Sequence, residues 1–358
     1  MGEGLIRIGV VGAGSIAAVH IEQFQRLPDL CAVVAITDVI GELARNRAEQ
    51  YRIPHVYGSI EELIASPEVD AVVICVPNRY HAPYAVQALR AGKHVLLEKP
   101  MGVSLEAARE ILRASRASNG ILMIAHQMRF EALSMQIRER IQRGELGRIY
   151  TAKAGWMRRK GIPGWGSWFT QKEISGGGPL IDIGVHMLDL SLYLMGNPKP
   201  VSVSGATYAE FGPKRKGIGG WGVPNWDGVF DVEDLATAMI RMEDGSTLTL
   251  DVSWAVHMET DSAPYIHLMG SEGGVSLRGQ EGKLLTEKDD QLIDVPLEVP
   301  ADDEGARLRM SRHFLECIRD GREPIIPVMS GYTTNLILDA IYRSSQLGRE
   351  IELDWDLE

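Results

Sequence analysis

Three side chains that can move protons or hold charge stand at helical spacing in an otherwise apolar segment near the middle of the chain. Asp182, His186 and Asp189 are four and three residues apart, so an α-helix would carry them on one stripe roughly 60° wide. The segment from Pro179 to Met195 is apolar on all sides, which predicts a buried helix. Buried charges need partners or a polar cavity. The stripe is therefore a candidate acid–base site, with a self-satisfied internal cluster as the alternative.

A glycine-rich turn close to the N-terminus has the pattern G-x-G-x-x-A. Gly12 permits a tight turn, Gly14 lets a pyrophosphate approach the backbone, and Ala17 allows close packing of helix and strand. Ser15 and Ile16 would begin that helix, whose N-terminus attracts negative charge. The motif alone fits a turn without a ligand equally well.

Asp38 adds a second signal, because it stands at the end of the second apolar run. A carboxylate at this position can accept hydrogen bonds from the adenosine ribose hydroxyls. It would repel a 2′-phosphate, and the following Val39 brings no positive charge. The sequence therefore predicts NAD as the cofactor and leaves NADP open, with a helix-capping aspartate as the alternative.

The first third of the chain alternates strands and helices around these residues. Strands are predicted over Leu5–Val11, Cys31–Thr37, Ala71–Val76, His94–Leu97 and Ile121–Ala125, and helices to about Leu27 and over Glu42–Tyr51, His81–Ala91 and Leu105–Ser118. This order predicts an α/β fold with a doubly wound parallel sheet of the Rossmann type. Lys99 follows one strand at its carboxyl end, the edge where such sheets bind ligands. A surface lysine is the alternative.

The pattern changes near His126, after which a helix is predicted over Leu133–Gln142. Thr247–Trp254 alternates apolar and polar residues as a half-buried antiparallel strand does, and Val201–Thr207 and Leu235–Met242 look similar. The sequence predicts a first domain over residues 1–126 and an α+β domain over 127–358. The late helices, Glu304–Asp320 and Ser330–Leu347, are free to pack back on the first domain.

The net charge, the lengths of the apolar runs and the cysteine spacing each argue against a class of binding partner or site. The net charge of −11 argues against nucleic acid or an anionic membrane as the partner, and no apolar run reaches the roughly 20 residues of a membrane span. Cys31, Cys75 and Cys317 lie far apart, which suits a reducing cytoplasm and removes a cysteine-based zinc site. We expect a cytoplasmic protein without a metal.

Four motifs together resemble the Gfo/Idh/MocA family, which includes glucose–fructose oxidoreductase and inositol dehydrogenases. They are C-V-P-N-R-Y-H at 75–81, E-K-P at 98–100, H-Q-M-R-F at 126–130 and G-G-G-P-L-I-D-I-G-V-H-M-L-D at 176–189. The resemblance covers nearly the whole chain. It implies a large open sheet in the second domain and a nicotinamide cofactor in the cleft between the domains.

The resemblance also implies roles for individual residues. Lys99, Asp182 and His186 match the catalytic group of the family. The expected cofactor-binding residues are Gly12, Gly14, Ser15, Ile16, Asp38, Val76, Pro77, Asn78, His81, Glu98, Lys99 and Gln127. We also expect a cis peptide bond between Lys99 and Pro100, as family members often show.

The chemistry implied is hydride transfer between a sugar or cyclitol carbon that carries a hydroxyl and nicotinamide C4. His186 would accept the hydroxyl proton, Lys99 would orient the oxygen, and Asp182 would position the substrate or the histidine. Two alternatives stay open. One is a glycoside-processing enzyme that uses tightly held NAD transiently, and the other is a catalytically inactive ligand sensor.

Tryptophans concentrate within or beside two long loops, Arg158–Pro179 and Phe211–Val229. Indole faces suit the apolar faces of sugars, and loop packing or a subunit interface is the alternative. The candidate substrate-binding residues are Arg129, Trp156, Arg158, Trp168 and Asp189. The polar face of Thr247–Trp254 is mostly uncharged, and family members commonly pair through this sheet. We therefore expect a homodimer or homotetramer, with a solvated sheet face as the alternative.

Overall fold

The computed structural model describes residues 4–259, 261, 263–299 and 304–356. The chain divides into two compact units, Met1–Phe130 with Asp303–Tyr332 and Glu131–Asp302 with Thr333–Glu358. The sequence predicts a boundary after residue 126, and the first segment of the first unit runs to Phe130. The helix Ala306–Asp320, one of the two that the sequence left free to join the first domain, belongs to the first unit.

A parallel sheet with helices between its strands forms the first unit. Its strands are β1 (Ile6–Val11), β2 (Cys31–Thr37), β3 (His55–Val56), β4 (Ala71–Ile74), β5 (His94–Leu97) and β6 (Leu122–Ile124). Its helices up to residue 130 are α1 (Ser15–Gln25), α2 (Gly41–Tyr51), α3 (Ile60–Ala65), α4 (His81–Arg90) and α5 (Leu105–Arg116). The strand order is β3-β2-β1-β4-β5-β6, and these neighbours pair in parallel. The predicted doubly wound Rossmann fold is confirmed.

The strand order of this sheet determines where a ligand can bind. The chain moves outward from β1 in one direction through β2 and in the other through β4, so the switch point lies between β1 and β4. Ligands of such sheets bind outside the carboxyl ends of the strands at that point. Gly12 follows β1, Val76 lies just beyond β4, and Lys99 follows Glu98 at the end of β5.

The second unit is built on a large, mainly antiparallel sheet. Its elements up to residue 297 are α6 (Ala132–Gln142), β7 (Ile149–Met157), α7 (Lys172–Ser175), a π-helical turn (Leu180–Gly184), α8 (Val185–Leu194), β8 (Pro200–Tyr208), β9 (Leu235–Met242), β10 (Thr247–Ser253), β11 (Tyr265–Gly270), β12 (Gly274–Arg278), β13 (Glu281–Lys288) and β14 (Gln291–Leu297). Then come α9 (Ala306–Asp320) of the first unit, α10 (Val328–Leu347) and β15 (Ile351–Glu352). The sheet order is β14-β13-β12-β11-β7-β10-β9-β8-β15.

Pairing in this sheet is antiparallel except between β7 and β10, within the residues described. The predicted alternation of β10 is confirmed from Thr247 to Val252, where Leu248, Leu250 and Val252 are buried and Thr247 and Thr249 are half-buried, but it fails at Ser253, which is buried. The second half of the fold prediction is therefore also confirmed. None of the helices in the described ranges combines the length and apolar character that a bilayer span requires.

The buried helix predicted between Pro179 and Met195 is present but not uniform. It starts with the π-helical turn Leu180–Gly184 and continues as α8. A π-turn closes with i→i+5 hydrogen bonds and is slightly wider than an α-helix, so the segment is irregular around Asp182. His186 and Asp189 both lie on α8, and Asp182 lies in the π-turn that precedes it, so the common stripe of the three residues stays a prediction. Such turns often occur at functional sites.

Candidate active site

The glycine-rich turn of the first unit has the shape that a dinucleotide requires. Gly12 has φ 96°, and a Cβ there would lie 2.4 Å from the carbonyl oxygen of Cys75. A Cβ on Gly14 would meet no described atom within 4 Å, so the backbone is open to an approaching group. Gly14 is the N-cap of α1 and offers no side chain to its first-turn N–H groups. Those donors and the helix dipole suit a pyrophosphate.

Asp38 is directed towards this turn. Its Oδ2 accepts a hydrogen bond from the backbone N–H of Ala13 at 2.7 Å, and its Oδ1 accepts one from Ile40 at 2.8 Å. The N-cap of α2 is Ile40 itself, so Asp38 does not cap that helix with its side chain. Each carboxylate oxygen keeps further acceptor capacity for a ribose hydroxyl.

A cation also stands beside the turn, which the sequence analysis missed. Arg47 on α2 donates from Nε to the carbonyl oxygen of Ala13 at 3.3 Å. Val39, the neighbour on which the prediction of an uncompensated Asp38 rests, is 86% exposed. Nothing in the spacing of Asp38 and Arg47 along the chain signals this proximity, because it depends on how α2 packs on the sheet. The open turn at Gly14 and the carboxylate of Asp38 fit NAD. Arg47, which also contacts Ala13, adds a positive charge beside the same turn.

Glu98 holds the turn that presents Lys99. Its side chain is buried, and its Oε1 lies 2.7 Å from His20 Nε2 on α1. A carboxylate only accepts, so this histidine nitrogen donates. The Oε2 accepts the backbone N–H of Lys99 at 3.2 Å, and Arg307 Nη1 on α9 lies 3.7 Å from Oε1.

Electrostatics explain why Glu98 stays charged. Burial alone raises the pKa of this carboxyl, but the hydrogen bond from His20 and the charges of His20, Arg307 and Lys99 lower it to about 2. The described contacts of Glu98 are thus with His20, the backbone of Lys99 and Arg307, all of which belong to the protein. Its expected role in binding the cofactor stays a prediction.

The other residues predicted at this edge lie after their strands. Val76 and Pro77 are half-buried, and Asn78 is buried. The ring nitrogens of buried His81 lie 2.7 Å from the carbonyl oxygen of Pro100 and 3.0 Å from that of Val76, so this ring joins the turns after β4 and β5.

The peptide bond between Lys99 and Pro100 is cis, as predicted. Gln127 is half-buried in the short turn after β6. Arg129 is buried and donates from Nη1 to the carbonyl oxygen of Ile325 at 2.9 Å. That contact gives Arg129 a structural role within the first unit, and its proposed contact with substrate stays a prediction.

In the second unit, Asp182 is oriented by an indole. Trp254 directly follows β10, is fully buried, and donates from Nε1 to Asp182 Oδ2 at 3.1 Å. Arg158, just beyond β7, interacts with the charge of Asp182, although burial lowers the arginine pKa. Its guanidinium carbon lies 4.4 Å from the ring centre of Trp156. Asp182, Arg158 and two indole rings therefore belong to one cluster.

Sequence reasoning placed Trp254 on the buried face of a strand without giving it a function. A buried indole needs an acceptor for its N–H, and that requirement is the signal that could have been used. His20 was missed for a comparable reason, because a histidine inside a helix pattern does not reveal its partner. His186 is buried on α8, and Asp189 is more deeply buried on the same helix.

The two tryptophan-rich loops pair with each other through their backbones. Ile162 donates to the Gly217 carbonyl at 3.0 Å, Gly164 to Trp221 at 2.9 Å, and Asn225 to Trp165 at 2.7 Å. The loops therefore form one connected layer of the second unit. Trp168 lies in it against Phe169, with ring centres 3.8 Å apart.

Comparison with known proteins agrees with this description. Residues 6–126 match the model of the oxidoreductase family with an NAD-binding Rossmann fold, and residues 134–276 match the GFO/IDH/MocA C-terminal domain. D-glucoside 3-dehydrogenase of Escherichia coli (strain K12) is 33% identical over 350 residues, which cover 97% of each chain. The scyllo-inositol 2-dehydrogenase (NAD(+)) of Bacillus subtilis (strain 168) is 26% identical over 98% of this chain and 96% of its own.

A solved structure of levoglucosan dehydrogenase, in complex with NADH and levoglucosan, has a TM-score of 0.87 at 22% identity and covers 98% of this chain and 100% of its own. At that identity the likeness concerns the fold. The match to D-glucoside 3-dehydrogenase, at 33% identity over almost the whole of both sequences, shows the family. The chain belongs to the Gfo/Idh/MocA family of oxidoreductases, and its first domain is the NAD-binding domain of that family.

We predict that Glu98→Gln lowers the free energy of unfolding by roughly 1–3 kcal/mol near neutral pH, because it leaves His20 and Arg307 without a charged partner. A carboxyl whose pKa is about 2 in the folded protein stabilises it fully above the ordinary value of 4.5. That contribution is lost as the pH falls towards 2, so the difference from the wild type should shrink between pH 5 and pH 3. Urea unfolding at each pH measures it. Glu49→Gln, which removes an exposed carboxylate, is the control, and a pH-independent difference would contradict the assignment.

We predict that the enzyme prefers NAD over NADP and that Asp38→Ser reduces the ratio of the two kcat/KM values by about tenfold or more. The substitution removes the charge that opposes a 2′-phosphate and leaves Arg47 in place. Asp29→Ser, which removes an exposed carboxylate before β2, should leave the ratio unchanged. A wild-type preference for NADP would refute the prediction.

Proposed function

We propose that this protein oxidises a ring hydroxyl of a glycoside or closely related sugar to the ketone. The chain is an NAD-dependent oxidoreductase that acts on sugar or cyclitol hydroxyl groups. The full-length similarity to D-glucoside 3-dehydrogenase supports a glucoside over a free inositol, because the inositol enzyme is less similar. The observation that carries the proposal is that this similarity extends over 97% of the chain and so covers both domains.

The chain would hold NAD with the turn from Gly12 to Ser15, with the N-terminus of α1 and with Asp38. When bound, NAD supplies a nicotinamide ring that accepts a hydride from the CH–OH carbon. Val76, Pro77 and Asn78 follow β4 at the same sheet edge and would contribute to this site. The remaining chemistry, which is proton removal and charge stabilisation, falls to the side chains of the protein.

His186 is proposed as the group that takes the proton of the substrate hydroxyl. As the hydride leaves the carbon, the O–H bond breaks and the oxygen forms a second bond to that carbon, so the proton must have an acceptor. A histidine has the proton affinity for this role near neutral pH. Lys99 is proposed to hold the same oxygen and to stabilise the negative charge that develops on it.

Asp182 is proposed to position the substrate. Its Oδ2 accepts from Trp254 and its charge interacts with Arg158, so the carboxylate has a defined direction towards the sugar that we propose it positions. The ring face of Trp156 lies beside Arg158 and suits the apolar face of a pyranose. We place the sugar-binding surface of this unit on this cluster.

A cytoplasmic location and self-association complete the proposal. Cys31, Cys75 and Cys317 are buried free thiols, which agrees with a reducing compartment. The half-buried face of the central strands is mostly uncharged, and its one carboxylate on β10, Asp251, accepts a hydrogen bond from Thr237 at 2.6 Å. Such a face can pair with its copy around a two-fold axis.

We predict that Lys99→Ala and His186→Ala each lower kcat by about 10²–10⁴-fold, because each removes a group that handles the hydroxyl proton or the oxygen charge. The assay follows nicotinamide absorbance with a panel of methyl glucosides, levoglucosan and inositols. Free NADH should accumulate in proportion to the sugar oxidised, which separates a dehydrogenase from an enzyme that retains its cofactor.

Matched controls are Lys288→Ala and His55→Ala, which remove an exposed lysine and an exposed histidine. Both should keep the wild-type kcat. Near-wild-type turnover of Lys99→Ala or His186→Ala on the preferred sugar would refute their catalytic roles. If no sugar of the panel reduces NAD, the proposed reaction is wrong.

We predict that the protein is a dimer or tetramer at micromolar concentration and that Thr249→Arg shifts it towards the monomer. Thr249 lies on β10 in the middle of the sheet, where an arginine would place two like charges near each other across a two-fold axis. Light scattering measures the mass. Glu287→Arg, at an exposed position on β13, is the control, and a wild-type monomer would contradict the prediction.

A further inference from the structure

We propose that the adjacent acidic residues Glu233 and Asp234, which precede β9, position the catalytic segment and the side chain of Asp182. The proposal rests on the roles assigned above to Asp182 and His186. Neither Glu233 nor Asp234 would touch the substrate, so both are positioning residues. Their contacts all lie within the second unit.

Glu233 is buried, and its carboxylate is surrounded by donors. Both oxygens lie 3.0 Å from the backbone nitrogen of Gly178, and Oε1 also accepts the N–H of Leu180 at 3.1 Å. The hydroxyl of Tyr342 on α10 donates to Oε1 at 2.9 Å. Burial raises the pKa of Glu233 above its ordinary value, and these hydrogen bonds oppose that rise because they stabilise the charged form.

These contacts lie at the start of the helical segment that carries the proposed catalytic residues. The first N–H groups of a helix have no partner within the helix, and a negative charge there is favourable. The π-turn begins at Leu180, whose N–H is held by Glu233. One step further, Asp182 donates its own N–H to the carbonyl oxygen of Gly178 at 3.0 Å. Glu233 thus connects to the backbone of Asp182 through a single residue, Gly178.

The glycines of the G-G-G motif make this approach possible. A Cβ on Gly177 would lie 1.9 Å from Tyr342 Oη, and a Cβ on Gly178 would lie 2.0 Å from the carbonyl oxygen of Glu233. Any side chain at either position would push the segment away from Glu233 or Tyr342. Gly177 and Gly178 are therefore required by the close packing at this junction.

Asp234 acts on the same aspartate from the other side. It is buried, and its Oδ2 accepts the backbone N–H groups of Phe211 at 2.6 Å and Gly212 at 2.9 Å. Its carbonyl oxygen accepts the backbone N–H of Trp254 at 2.9 Å, and the indole of Trp254 donates to Asp182. The two neighbouring acidic residues thus hold Asp182 by its main chain and by its side chain.

The test compares Glu233→Gln with Glu243→Gln, whose carboxylate is exposed at the far end of β9. A glutamine keeps the shape but turns one acceptor into a donor that faces backbone N–H groups. We expect kcat on the preferred sugar to fall about 10–100-fold, because small misplacements of reacting groups have effects of this size. The Kd for NADH, followed by its fluorescence, should change less than about twofold, since the nucleotide-binding residues belong to the first unit.

A second measurement does not need the substrate. Hydrogen exchange of the amides at 178–186 should be at least about tenfold faster in Glu233→Gln and unchanged in Glu243→Gln. If Glu233→Gln does not fold, Tyr342→Phe, which removes one donor to Oε1, carries the same comparison with smaller changes.

The outcomes are distinct. Unchanged exchange at 178–186, or faster exchange with an unchanged kcat, overturns the positioning role. A kcat that falls in parallel with a loss of NADH binding by the folded variant also overturns it. If the wild type oxidises no sugar, the proposed function fails, and the exchange result alone then decides whether Glu233 holds this segment.

Discussion

A carboxylate taken out of water needs hydrogen-bond donors at both oxygens, because an unpaired buried charge costs several kcal/mol. Glu98 meets this need in the first unit with His20 from the nucleotide-binding helix, the backbone of Lys99 and Arg307 from α9. These partners, two hydrogen-bond donors and the charge of Arg307, come from three separate stretches of the chain. Satisfying one charge therefore fixes α1, the turn after β5 and α9 relative to one another.

The second unit meets the same constraint at Glu233 and Asp234. Their donors are mostly backbone N–H groups at places where regular structure begins or turns, such as Gly178 and Gly212. Backbone donors are suited to this purpose because they cannot change rotamer, so the position of the carboxylate determines the path of the chain. A π-turn and a tightly packed glycine pair are both found at this junction.

In the proposed reaction, the two units would contribute different groups, in a way that follows from their architectures. A doubly wound sheet exposes glycine-rich turns and helix N-termini at the carboxyl ends of its strands, which suits a pyrophosphate and a nicotinamide. A broad antiparallel sheet supplies strand ends such as Arg158 and Trp254, where large polar and aromatic side chains surround Asp182. The parallel sheet thus presents backbone donors to a nucleotide, and the antiparallel sheet presents large side chains around Asp182.

Most of the fold and the family could be predicted from sequence, because these depend on signals within a few residues. The strands Cys31–Thr37, His94–Leu97 and Leu235–Met242 have the predicted bounds, since a continuous or alternating apolar run determines which faces are buried. The glycine motif, Asp38, Lys99 and His186 were recognised from residue type and local spacing. The prediction of a cis bond before Pro100 came from the family resemblance.

The partners of these residues were decided by tertiary structure alone. His20 meets Glu98 across 78 positions, Trp254 meets Asp182 across 72, and Gly178 meets Glu233 across 55. The π-turn was not predicted either, because nothing in its own apolar residues distinguishes it from an α-helix. Hydrophobic periodicity reports which face of an element is buried. Which donor reaches which acceptor depends on how elements far apart in the chain pack together, and no local pattern encodes that.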